Sequence, residues 1–362
     1  TDTNALRWSL QGPGGMLTAG RSFQTSDSVD GTAIFDLTPG RYTLVVDATG
    51  DSLPAFAFRL LDLSVATPIT VGTPVAGVLS PARETDVYSF TAAAGDRIFF
   101  DGTLDAGGDT RWRLLDPFGA QVFGVPQLGS DVGTTTLPVT GTYTLLVEGR
   151  RYVGARANYG FTLVAASQGS QALLLDVDVA GSLTAPGQVQ HYDFSLADAT
   201  RLVFDSLTNS NNFRWSLTGP RGLELGNRGF ASSDSAQFNG ASLLLLPAGS
   251  YRLSVEGTGD TTGDFSFVLR DLAAAAVVAL GTELPDSLSP DNATRLLAFD
   301  AQAGDQLLFD RLAMTGSTPY WRLIDPNGVQ LFGPEAFNDR RLTVDISGRY
   351  TLLLEGVVNA GA

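Results

Sequence analysis

The chain has 362 residues, no cysteine and no lysine; its 23 basic residues are all arginine, and 31 of its 38 acids are aspartate, giving a net charge of −15. Without cysteine there is neither a disulfide framework nor a thiolate zinc site, and without lysine there is no isopeptide crosslink, Schiff base or Walker-type phosphate loop. Such an acidic surface repels nucleic acid and anionic membranes while attracting divalent cations, and no run approaches the roughly 18 apolar residues of a membrane span.

The content of 43% apolar and 17% charged residues is that of a folded chain. The N-terminus has no signal-peptide pattern, and the chain opens inside a repeat, which leaves room for a targeting segment upstream.

The four tryptophans, Trp8, Trp112, Trp215 and Trp321, recur every 103 to 106 residues. A proline follows each at five residues (Pro13, Pro117, Pro220, Pro326) and a glycine at seven (Gly15, Gly119, Gly222, Gly328). Further on comes Gly-x-Tyr-x-Leu, with Gly40 and Tyr42, Gly141 and Tyr143, Gly249 and Tyr251, Gly348 and Tyr350. A period near 100 is too long for a solenoid, so each repeat owns its own core.

The second repeat is the most complete. Residues 86–91 alternate, with Tyr88 and Phe90 on one face. The run from Arg111 to Leu114 does likewise, its arginines facing out. Residues 142–148 turn Tyr143, Leu145 and Val147 inward, and 158–164 do so with Tyr159, Phe161 and Leu163. Period-two patterning in short aromatic and β-branched runs predicts half-buried strands, about eight antiparallel ones per repeat.

Asp116-Pro117-Phe118-Gly119 and Asp325-Pro326-Asn327-Gly328 are type I turn sequences that predict a hairpin after each tryptophan strand. Gly-x-Tyr at a strand start predicts a buried ring whose hydroxyl bonds nearby backbone, as in a tyrosine corner. The tryptophans are expected in the core. The fold class is therefore all-β, a tandem array of antiparallel β-sandwich domains of jelly-roll or immunoglobulin-like type, about 100 residues each.

Asp-x-Tyr-x-Phe-x(4)-Gly-Asp (86–96), Trp-x-Leu-x-Asp-Pro-x-Gly (112–119), Gly-x-Tyr-x-Leu-x-Val (141–147) and Tyr-x-Phe-x-Leu (159–163) resemble the bacterial pre-peptidase C-terminal domain family. That resemblance covers nearly the whole chain, rests on scaffold residues, and implies small β-sandwiches of secreted peptidases and exported surface proteins. The third repeat departs from it at 198–200, where Gly-Asp is missing, and the fourth at Leu297, which replaces the first tyrosine.

Boundaries fall at 1–66 (partial, N-terminal strands missing), 67–166, 167–275 and 276–362 (partial, last strand missing). Either the chain is a stretch of a longer array, or neighbouring chains complete the open ends by β-augmentation. Repeats one and three share Arg-Trp-Ser-Leu and Gly-Pro-x-Gly; two and four share Trp-Arg-Leu and Asp-Pro-x-Gly. The full repeat is thus a pair of about 207 residues, with two kinds of contact or two faces in turn. The linkers 63–72 and 271–281 are short and apolar, which predicts modules packed at fixed angles.

Catalytic signals are sparse. His191 is the only histidine and aligns with Val87 and Leu296, a tolerated strand position. There is no Gly-x-Ser-x-Gly elbow. Calcium is the one cofactor with a physical case, because a hard cation needs several loop oxygens. The candidates are Glu256, Asp260 and Asp264 before the last strand of repeat three, and Asp47 and Asp51 at the same place in repeat one. Repeat two carries Arg150, Arg151 and Arg156 there, which repel a cation, and the loop from Asp105 to Asp109 is a weaker case. Asn292-Ala-Thr294 is a lone glycosylation sequon.

These features predict a non-enzymatic structural or adhesive segment of a large bacterial extracellular or cell-surface protein, an adhesin stalk or exported filament. Its partners would be neighbouring repeats or other copies of itself, with no nucleic acid and no membrane span. The alternative is a binding module for a carbohydrate such as a surface glycan, a matrix protein or a secreted peptidase. Aromatics lined up on one sheet face would favour glycan binding, and a face of Thr, Ser and Arg a spacer.

Overall fold

A computed structural model describes residues 2–26, 29, 34–51, 54–106, 109–154, 156–233, 243–284 and 287–359. The chain divides into two compact units, Thr1–Ala166 and Ser167–Ala362. Both are built of strands, and the described residues form paired sheets around hydrophobic cores, the β-sandwich class.

In the second unit, the third repeat is a complete sandwich. Its first sheet runs Gln168–Ala172, Val189–Leu196, Gly249–Gly257, Phe213–Gly219, Gly222–Gly229. The second runs Val179–Leu183, Gly263–Asp271, Thr200–Ser206, Leu243–Leu246. Between them lies a core that includes Tyr192, Phe204, Trp215, Phe230, Tyr251 and Phe267. Its described residues form nine strands rather than about eight, and the added one, Gln168–Ala172, runs parallel to its neighbour.

The fourth repeat repeats the first sheet as Ala276–Val277, Thr294–Ala301, Gly348–Glu355, Tyr320–Ile324, Gln330–Ala336, faced by the pair Gln306–Phe309 and Arg340–Thr343. Leu297, which stands where the sister repeats have tyrosine, is buried.

In the first unit, the second repeat has the same nine-stranded plan. One sheet is Thr67–Pro68, Thr85–Ala92, Gly141–Glu148, Arg111–Leu115, Gln121–Phe123; the other is Val75–Leu79, Ala157–Ala165, Arg97–Asp105, Gly133–Thr136. Of the inward residues read from the sequence, Phe90, Trp112, Tyr143, Leu145, Val147, Tyr159, Phe161 and Leu163 are buried, and Tyr88 is half-buried against the same core. The described part of the first repeat forms one three-stranded sheet, Gly15–Ser22, Leu6–Gly12, Thr43–Ala48. Trp8 is accordingly only half-buried, unlike Trp112, Trp215 and Trp321.

The turn chemistry follows from the residues. Asp116 Oδ1 accepts from the backbone N–H of Phe118 and Ala120, both at 2.8 Å, and Gly119 N–H closes on Asp116 O at 3.0 Å. Gly119 and Gly328 take φ of 82° and 85°, which a type I turn with a following bulge asks of glycine. In repeats one and three the aspartate is a glycine, because the tyrosine ring lies over it: a Cβ on Gly219 would fall 2.3 Å from Tyr251 Cε1. All four Gly-x-Tyr tyrosines donate to the carbonyl four residues back, Thr38, Val139, Pro247 and Ile346, at 2.5 to 2.7 Å.

The linkers belong to the modules they join. Asp62 and Asp271 cap short 3-10 turns by accepting from Ser64 and Ala273 N–H at 2.9 Å, and the chain then enters the next first sheet as its parallel edge.

Candidate functional site

The five calcium candidates are spread over different elements. Glu256 lies on the outward face of the first sheet of repeat three, Asp264 begins a strand of the second sheet, and exposed Asp260 sits in the turn between them. Asp47 is on a strand and exposed Asp51 in the turn beyond it. Among the described residues no three of these five bring ligand oxygens within 4.8 Å of one another. Asp47 and Glu256 stand directly across the ladder from Arg7 and Arg214, so each carboxylate has a fixed cation opposite. In the loop from Asp105 to Asp109, residues 107 and 108 lie outside the described residues; Asp105 accepts from Thr110 N–H at 3.2 Å, and Asp109 pairs with Arg111 at 2.6 Å.

The same ladder position explains the alternation of the repeats. Asp47 and Glu256 align with Glu148 and Glu355, which are fully buried and paired with Arg113 at 3.4 Å and Arg322 at 3.1 Å. Those arginines follow the tryptophan directly, where repeats one and three have Ser9 and Ser216. They point away from their own sandwich core, as the alternation predicts for Arg113, yet Arg113 is 8% and Arg322 0% exposed, so facing out of the sandwich does not put them in water. Period two tells which side of a sheet a residue takes, not whether that side is wet.

What lies on that side is the preceding module. In the second unit, Leu296, Ala298, Ile324 and Leu353 of the fourth repeat form a second core with Val203, Leu272 and Ala275 of the third. Polar ties run along this seam. Asp205, fully buried, accepts from Arg270 Nε at 2.7 Å, Thr294 N at 2.9 Å and Thr294 Oγ1 at 3.0 Å. Burial pushes its carboxyl up, against the pull of Arg270 and Thr294. Asn292 Nδ2 donates to Leu207 O at 3.1 Å, and Arg201 donates to Pro326 O at 3.0 Å. The sequon asparagine is thus 3% exposed and engaged in a seam, out of reach of a transferase in the folded protein.

In the first unit the corresponding region is an open cleft of about 1300 Å³. Trp8, Phe23 and Phe58 line it from the first repeat, Leu115, Thr144 and Leu146 from the second.

The outward face of repeat three is different again. It carries His191, Asp193, Ser195, Ser216, Thr218, Ser250, Arg252 and Ser254, without an aromatic. His191 Nδ1 is 2.9 Å from Ser254 Oγ across the strand pair. Asp193 takes a bidentate pairing from Arg252 at 2.7 and 3.0 Å, and Arg252 with Ser170 holds its carboxyl down to about 2.

In the loop of repeat two that follows the strand Gly141–Glu148, two arginines converge on one exposed tyrosine. Tyr152 donates to Asp109 Oδ2, and Asp109 is in turn fixed by Arg111. The guanidinium carbons of Arg150 and Arg151 lie 5.3 and 5.8 Å from the Tyr152 ring centroid, within cation–π range. Arg151 also pairs with Asp2 at 3.0 Å, and Arg156 is exposed just before the strand Ala157–Ala165. Burial alone would raise the Asp109 carboxyl, but Tyr152 and Arg111 outweigh it and hold it below the usual range. The same hydrogen bond, helped by burial, pushes the Tyr152 hydroxyl up. By residue type the arginines here repel a cation, whereas Tyr152 carries no signal in the sequence, because a lone tyrosine in a loop has no periodicity.

The chain matches no known protein family and no curated protein. Among solved structures it is similar to a periplasmic inhibitor of g-type lysozyme, PliG, from Aeromonas hydrophila, with 15% identity over 27% of this chain and 94% of that one, at a TM-score of 0.24. PliG from Salmonella Typhimurium gives 16% identity over 27% and 97%, at 0.20. The CUB1-EGF-CUB2 segment of human MASP-1/3 gives 9% over 54% and 99%, at 0.19. Scores this low carry no argument about function.

Proposed function

We propose that the chain is a non-enzymatic structural or adhesive segment of a large bacterial extracellular or cell-surface protein, an adhesin stalk or exported filament. The observation that carries this reading is the seam between the third and fourth repeats. A buried apolar cluster, the Asp205–Thr294 bonds and a linker folded into both modules join sandwiches stiffly, whereas a flexible tether leaves them free. The resemblance to pre-peptidase C-terminal domains supports export. The outward face of repeat three, made of Ser, Thr, Arg, Asp and His, supports a spacer over a glycan-stacking platform at that place.

Pulling the chain from its two ends by single-molecule force spectroscopy tests this. The third and fourth repeats, held by that seam, should unfold together in one step, releasing on the order of 600 Å of contour. A featureless extension at low force would sink the proposal.

A second reading, a carbohydrate-binding module, draws support from the Tyr152 loop alone.

A further inference from the structure

We propose that the loop of repeat two around Arg150, Arg151 and Tyr152 binds a carboxylated saccharide, the uronate units of an acidic polysaccharide. This site is independent of the stalk reading, since a spacer needs no ligand. It develops the carbohydrate-binding alternative by naming place and ligand class.

The argument begins with contrast. Four repeats bring the same loop to the same end of the first sheet. It reads Thr49-Gly50-Asp51 in repeat one, Thr258-Gly259-Asp260 in repeat three and Val357-Val358-Asn359 in repeat four. Repeat two alone has two arginines and a tyrosine. Arg111, Arg150, Arg151 and Arg156 set four positive charges against the three negative ones of Asp2, Asp105 and Asp109, a local excess of positive charge on a chain of −15. An anion repelled over the rest of the surface is drawn to such an island.

The chemistry of the island then selects the anion. Guanidinium forks match the planar, two-oxygen geometry of a carboxylate. The Tyr152 ring is 54% exposed, while its hydroxyl is tied to Asp109 and Asp109 to Arg111. The ring is therefore held in place before any ligand arrives, so little is spent on ordering it. A half-exposed aromatic ring with guanidinium groups held over it suits a pyranose ring bearing a carboxylate: the sugar's C–H surface lies on the part of the tyrosine that the arginines leave open, and its carboxylate meets an arginine. An acidic peptide fits less well, because peptides dock on sandwiches chiefly by adding to a strand edge, and these residues sit in a loop between sheets.

The test is affinity electrophoresis of the full chain in gels containing polygalacturonate, neutral dextran or polyglutamate. Polygalacturonate should retard the chain, dextran should not, and polyglutamate should do so more weakly. Tyr152→Ala and Arg150→Ala should each weaken retardation about tenfold. Tyr152→Phe should keep most of it, because the ring remains, and an unchanged melting temperature shows each variant folded. The inference is overturned if polygalacturonate fails to retard the wild type, if dextran or polyglutamate retards it equally, or if Tyr152→Ala binds as the wild type does. Failure here leaves the force-extension steps of the stalk reading untouched.

Discussion

Pro220 lies so close to Gly249 that a Cβ on the glycine would stand 2.2 Å from the proline Cγ. The two are 29 residues apart, one in the turn after the tryptophan strand and one at the start of the tyrosine strand. The contact recurs as Pro13 with Gly40, Pro117 with Gly141 and Pro326 with Gly348, at 2.2, 2.6 and 2.8 Å. Gly249 also has φ of 151°, outside the comfortable range of a residue with a side chain. Gly249→Ala should therefore destabilise by about 1–3 kcal/mol in a denaturant titration. Adding Pro220→Ala should recover the steric part and leave the dihedral part. Gly14→Ala, with nothing within 4 Å of its Cβ position, is the neutral control.

Tyr251→Phe keeps the ring between the sheets and removes only the donor to Pro247 O at 2.7 Å. The loss should be about 0.5–1.5 kcal/mol, the net worth of one hydrogen bond. A loss several times larger would mean that the corner sets the strand register as well as satisfying a carbonyl.

Tyr251, Trp215 and the Asp116 turn were legible in the sequence because each depends on residues a few positions apart: a glycine at the entry, a proline fixing φ, an alternating inward face. Arg113 and Arg322 were not, because their burial comes with partners that a period of two does not show, Glu148 and Gln121 for the one and Glu355 and Gln330 for the other. A signal was nonetheless present. The serine-to-arginine change after the tryptophan marks the two repeats that bury this face. The calcium reading of Asp47 and Glu256 took them as loop ligands, whereas they share the ladder position of Glu148 and Glu355, opposite arginine or tyrosine.

That ladder position yields a third prediction. Arg322→Ser leaves the Glu355 carboxylate buried without its guanidinium, a change that typically costs about 3–5 kcal/mol. Replacing both, with Arg322→Met and Glu355→Gln, should return most of that loss, since the desolvation of two charges is removed together with their attraction. Denaturant midpoints at constant m value measure both variants. If the double variant were as unstable as the single one, the ion pair would be needed for the fit of the seam and not only to neutralise itself.

The Asp109–Tyr152 bond should show a defined pH window. The Asp109 carboxyl is held below its ordinary value, so its contribution is complete above the unfolded value near 4 and is lost as the pH falls through the folded one. The Tyr152 hydroxyl is raised, so its contribution is complete below the unfolded value near 10 and is lost as the pH rises through the folded one. The stability difference between wild type and Tyr152→Phe should therefore be constant between about pH 4 and pH 10 and close on either side. Thermal melts across that range measure it, and a difference that does not vary with pH would mean that the phenol acts only through packing.

Asp205 and Thr294 belong to different sandwiches, so their bond reports on coupling between modules. Thr294→Val keeps the shape and removes the 3.0 Å donor to Asp205 Oδ1, leaving a fully buried carboxylate with Arg270 and one backbone N–H. The expected cost is about 1–3 kcal/mol, the penalty for an unsatisfied buried acceptor. A double-mutant cycle with Asp205→Asn isolates the pair; residues in contact should give a coupling of roughly 0.5–3 kcal/mol. The form of the transition is as informative as its midpoint. A seam that makes the third and fourth repeats one cooperative body should unfold in one step in the wild type, and weakening it should split that step in two. If wild type already melts in two steps, the modules are joined without being coupled, and the rigid-spacer reading loses its physical basis.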